Sequence, residues 1–160
     1  MPSFTSTLRE HLASILDWED AHASFDKAVD GIPETAQGAR AGGFPHSPWE
    51  LLEHLRLAQD DILEFCTNPA YAHTKEWPGD YWPKSAAPLT PRAWADSVDA
   101  YRHDREALKR IAREVEDLTR PVPTGSSGQT YLRAILLVAD HTAYHVGQLV
   151  AVRRALGIWQ

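Results

Sequence analysis

Three histidines have the types and spacing to hold a metal ion. His141 and His145 lie in Asp140-His-Thr-Ala-Tyr-His-Val-Gly-Gln148, four residues apart. On an α-helix that spacing puts both imidazoles on one face, about 6 Å apart along the axis. His54 lies in Trp49-Glu-Leu-Leu-Glu-His-Leu-Arg56, on a second amphipathic segment. It follows Leu51 by three and precedes Ala58 by four, so it shares their inward face. His141 and His145 fall on the line Ala134, Leu137, Val138, Tyr144, Gln148, Val152. An inward histidine needs a partner for each ring nitrogen, because an unmet polar group costs a few kcal/mol. Taken singly, each is explained by a bond to a backbone carbonyl. Taken together, they form a three-nitrogen set with coordination positions to spare, the form of a catalytic rather than a structural zinc site. Asp140 and Gln148 are candidates to orient the ligands from behind.

Other constellations compete. Glu19-Asp-Ala-His22 has the Glu-x-x-His spacing of di-iron bundles, which need two such motifs and two further glutamates. Only one is present. His22 falls on the inward stripe of the first helix, and a core histidine is the favoured reading over a fourth ligand or a proton carrier. HExxH, P-loop, GxGxxG and GxSxG motifs are absent. Cys66 reads as a small apolar residue at a helix end. His11, His46, His73 and His103 read as surface or loop residues. Trp77, Tyr81 and Trp82 either staple a long loop to the core or roof a pocket.

Four helices must position these groups. The first is expected over roughly 8–29, with Thr7 and Glu10 as a capping box and Leu8, Leu12, Ile15, His22 and Val29 on one stripe. The second starts at Ser47-Pro48-Trp49-Glu50, with an N-cap serine, a proline at the first position and a glutamate at the third, and ends at Asn68-Pro69. The third runs from Thr90-Pro91 to about Leu118. The fourth runs from about Gln129 to Leu156, behind a flexible 125–128 stretch, with Gly157 as C-cap. Nothing alternates with period two, so the fold class is all-α, a four-helix bundle with long connecting loops. The links over 31–46 and 67–89 are long enough to cross the bundle.

The chain of 160 residues is long enough for one domain, 1–160, with a real core. A net charge of -6 without a Lys/Arg run disfavours nucleic acid. The single cysteine excludes an intrachain disulfide and fits a reducing cytosol. No stretch approaches the roughly 18 apolar residues of a membrane span, and the N-terminus lacks signal-peptide order. A cytoplasmic protein is expected.

The stretches Pro45-His-Ser-Pro-Trp-Glu-Leu-Leu-Glu-His-Leu-Arg56 and Asp140-His-Thr-Ala-Tyr-His-Val-Gly-Gln148 resemble the DinB/YfiT-like superfamily of metal-dependent bundles, over essentially the whole chain. The resemblance implies an up-down-down-up bundle, often a homodimer. It implies one divalent metal, zinc or nickel, on His54, His141 and His145. Relatives include bacillithiol-using S-transferases and a mycothiol-dependent isomerase. The function expected is therefore a thiol-dependent S-transferase, with a small-molecule substrate and a low-molecular-weight thiol, or a related metal-dependent hydrolase. The other possibility is a non-catalytic dimeric bundle with a structural metal.

Overall fold

The computed structural model describes residues 3–160. Six α-helices and no named strand occur among them: α1 Phe4–Ser14, α2 Phe25–Val29, α3 Glu34–Gln37, α4 Pro48–Thr67, α5 Ala93–Glu114 and α6 Tyr131–Ala155, with a 3-10 turn at Gly79–Tyr81. The three long helices carry the architecture. α4 packs on both α5 and α6, α1 lies on α5, and α2 lies on α6.

The expected first helix is broken. α1 starts earlier than the Thr7–Glu10 box required, with Ser3 as its N-cap accepting from the Ser6 amide. It ends by Ile15, and a new helix starts at Phe25, whose N-cap Ser24 accepts from the Lys27 amide. A serine there offers the backbone a cap in place of continued helix. Tertiary partners fix the turn. Phe25 stacks on Tyr101 of α5 with centroids 3.8 Å apart, and both rings are buried. Asp26 takes Arg102 at 2.6 Å and Arg105 at 2.7 Å. Asp17 takes Lys109 at 2.7 Å. These contacts outweigh the periodicity, and His22 drops out of the inward stripe into the exposed break.

α4 begins as its sequence dictates. Ser47 accepts from the Glu50 amide, and the Glu50 carboxylate accepts from the Ser47 amide at 2.8 Å. Pro48 occupies the first turn, where its missing N–H goes unneeded. Leu51, Leu52, Leu55 and His54 are almost wholly enclosed. Each such leucine removed from water contributes about 1.5–3 kcal/mol. α5 stops short of Leu118, because Val115 turns to extended backbone. The 125–128 stretch is not a loose linker. Val122 N–H bonds Gln129 O at 3.0 Å, and a side chain at Gly125 would meet Val122 and Gln129 within 3 Å.

α6 is capped by Thr130 and closed by Gly157 at φ +71°. Its apolar line is broader than its buried face, with Leu137 and Tyr144 exposed. It is also long and apolar enough, by length and composition alone, to cross a membrane. That goes beyond the hydropathy reading of the sequence. Its inward residues, among them Ile135, Val138, Val146 and Leu149, are packed into the helical core.

Candidate metal centre

The α4–α6 contact brings His54 to the His141–His145 pair. His54 Nε2 lies 3.1 Å from His145 Nε2 and 3.0 Å from His141 Nε2. One nitrogen from each ring falls within 4.8 Å of the other two. Spacing alone left open whether the two helices are neighbours, and they are.

The outer nitrogens decide what the inner ones can be. His54 Nδ1 sits 2.8 Å from the carbonyl oxygen of Tyr81. A carbonyl only accepts, so Nδ1 carries the hydrogen and Nε2 presents a lone pair. His145 Nδ1 is likewise 2.7 Å from Gln148 Oε1, while the Gln148 amide nitrogen donates to the Tyr144 hydroxyl at 3.2 Å. Two lone pairs therefore face each other across 3.1 Å with no proton between them. Protonation would relieve this, but burial opposes it. His141 and His145 are each pushed down to about 4, first by loss of water and then by the charge of neighbouring imidazoles. Burial also lowers His54. A cation other than a proton is what the donor set fits. Bonds of about 2.0–2.1 Å in a tetrahedral zinc site place nitrogens roughly 3.3 Å apart, a few tenths wider than the two spacings from His54 Nε2.

The 69–82 segment roofs the cluster. Trp82 lies flat on the His54 ring, centroids 3.9 Å apart and planes 2° from parallel. It also stacks on His46 at 3.9 Å and packs against the core. The aromatic loop thus staples and roofs at once. Trp77, 68% exposed, stands 6.2 Å from His54. Tyr144, 64% exposed, meets the His145 ring edge-on at 4.9 Å. Beside the cluster, Phe44, Pro45, His46, Tyr144, Gln148 and Val152 line an apolar cleft of about 310 Å³.

The remaining candidates fall elsewhere. Gln148 orients a ring as expected, whereas Asp140 is exposed and makes no side-chain bond among the described residues. His22 is neither a core residue nor part of the cluster. It hydrogen-bonds through Nδ1 to the Ala23 carbonyl at 2.9 Å and, with Glu19, borders a separate cleft of about 640 Å³ against α6. Glu19 is held by the Ser24 hydroxyl. Cys66 is buried, 2% exposed, and burial pushes its thiol up to about 12, so it packs and does not react.

One residue near the site, Asp61, draws no reading from the sequence, and another, His46, reads there only as a surface or loop residue. His46 reaches the site through Trp82. Asp61 lies two turns along α4 from His54 and accepts from the Tyr81 hydroxyl at 2.6 Å, the Tyr71 hydroxyl at 3.2 Å and Lys75 at 3.1 Å. The seven-residue step from His54 was the available signal for Asp61. Position inside the Pro45–Arg56 stretch was the signal for His46.

The family model of the DinB superfamily matches residues 6–149, a span that includes all three histidines. No curated protein and no solved structure matches the chain.

Proposed function

The chain belongs to the DinB superfamily, and from that premise we propose that it is a divalent-metal-dependent enzyme of the thiol S-transferase type. The observation that carries the proposal is the pair of facing lone pairs on His54 and His145, with His141 beside them. His54, His141 and His145 would hold one zinc or nickel ion. Held by three neutral nitrogens, such an ion would supply Lewis acidity and would lower the pKa of a thiol or a water.

The chain's own residues do the rest. The Tyr81 carbonyl and the Gln148 amide fix ring orientation and tautomer, which keeps the inner nitrogens available. Trp82 excludes water from one flank of His54. The cleft between Phe44 and Tyr144 is apolar and suits an apolar electrophile. The buried thiol of Cys66 is not available as a nucleophile. The sulfur that attacks therefore comes from a low-molecular-weight thiol, and a hydrolase using water at the same place is the nearest variant. The exposed position of His22 supports this reading over a structural site saturated by a fourth histidine.

We further read α1 with α2, α4, α5 and α6 as the four limbs of an up-down-down-up bundle. The homodimer and the cytoplasmic location implied by the resemblance stay part of the proposal. The test is a screen of zinc- and nickel-loaded protein with bacillithiol, mycothiol, glutathione and coenzyme A against general electrophiles. Conjugation that depends on metal supports the reading, and none with any pair contradicts it.

A further inference from the structure

On α4, Asp61 collects three side-chain hydrogen bonds from the segment that roofs the histidine cluster. Asp61, its side chain 15% exposed, receives hydrogen bonds from Tyr71, Lys75 and Tyr81. Tyr71, Lys75 and Tyr81 are spread over eleven residues of a connection that has only a three-residue 3-10 turn of its own. Its backbone is tied locally, Asp80 N–H to Glu76 O at 3.0 Å and Tyr81 N–H to Pro78 O at 3.1 Å, and its side chains supply the grip that seats it on α4. One of the gripped residues, Tyr81, 6% exposed, supplies the carbonyl that holds His54 Nδ1. The next residue, Trp82, supplies the ring stacked on His54. The geometry has a defined order: the Asp61 carboxylate fixes the Tyr81 hydroxyl, the Tyr81 side chain fixes its backbone, and its carbonyl fixes the His54 ring.

We infer that Asp61 is a positioning residue for His54, acting through Tyr81. It makes no hydrogen bond to His54, His141 or His145. Its role is to hold one His54 tautomer with Nε2 directed at His141 and His145. Part of the inference, the effect on metal affinity, rests on the metal reading above. The effect on the His54 tautomer does not.

The test uses the full-length protein and three variants, Asp61→Ala, Tyr81→Phe and Tyr71→Phe. Nitrogen-15 NMR of the metal-free protein reads the His54 tautomer, and zinc titration against a competing chelator reads affinity. Asp61→Ala and Tyr81→Phe should each replace the single Nδ1–H form of His54 with a mixed population. They should also weaken zinc by about 10-fold, the lower end of the loss when an outer partner of a metal-held histidine is removed. Tyr71→Phe removes a bond to Asp61 but leaves the Tyr81 link, so it should preserve both. If Asp61→Ala does not fold, Tyr81→Phe alone carries the test. An unchanged His54 tautomer in Tyr81→Phe overturns the inference, and so does a Tyr71→Phe effect as large as that of Tyr81→Phe. If wild type takes up no zinc, the metal reading fails, while the NMR comparison still decides the role of Asp61.

Discussion

His54 Nδ1 and the carbonyl oxygen of Tyr81 lie 2.8 Å apart, one on the core helix α4 and the other on the connection that crosses it. That bond commits the ring. With its hydrogen on Nδ1, His54 turns a lone pair toward His141 and His145. The lone pairs that His54 and His145 turn on each other favour a bound cation, and this gives the first prediction. His54→Ala, His141→Ala and His145→Ala each leave two nitrogens and should lower zinc or nickel affinity at least 100-fold, since a lost ligand costs more than a lost outer partner. His22→Ala should leave affinity unchanged, because His22 lies outside the cluster. Equilibrium dialysis distinguishes these outcomes.

Metal uptake should resist acid. His141 and His145 titrate near 4 in the folded protein, against about 6.5 when unfolded. A histidine with a lowered folded pKa contributes stability that is fully present above 6.5 and is lost as pH falls toward 4. Two results follow. Metal-free protein should lose stability between pH 6.5 and 4. Zinc occupancy should hold down to about pH 5 and fall near pH 4, because protons compete for these nitrogens only there. A half-loss of zinc near pH 6.5 would show ordinary imidazoles and contradict the burial argument.

Removing the metal should soften the fold. A ligand at 100 times its Kd stabilises the state that binds it by about 2.7 kcal/mol. For a chain of this size each kcal/mol moves Tm by roughly 2–4 °C. Thermal melts with saturating zinc and with a chelator should therefore differ by about 5–10 °C in wild type. In His145→Ala the two curves should coincide.

The two tryptophans of the roof should behave differently. Trp82 stacks on His54 and packs on the core, so Trp82→Ala should cost about 1–3 kcal/mol of stability and weaken metal binding. Trp77 is largely exposed, so Trp77→Ala should change stability by less than about 0.5 kcal/mol. If Trp77 walls the site, the same variant should raise KM for bulky apolar electrophiles and leave metal content intact. Denaturant melts and steady-state kinetics read the two effects separately.

How much of this could be read from the residues depends on how local each cause is. The start of α4 is a local matter: Ser47, Pro48 and Glu50 satisfy its first amides among themselves. The i, i+4 step from His141 to His145 is equally local. The break after α1 is not. The stripe from Leu8 to Val29 keeps helical period through it, and what ends the helix is Phe25 reaching Tyr101 and Asp26 reaching two arginines some 76 and 79 residues away. His22 was misplaced for that reason. Asp61 and His46 escaped for a related one. Their roles run through Tyr81 and Trp82, on a connection whose path depends on packing and has no periodicity to reveal it.

The most direct test of the central claim is elemental analysis of untagged wild-type protein, purified without chelator or imidazole, beside His145→Ala. About one zinc or nickel per chain in wild type, absent from the variant, is the predicted result. A wild-type protein that holds no metal, even after zinc, nickel, iron and manganese are offered, would contradict it.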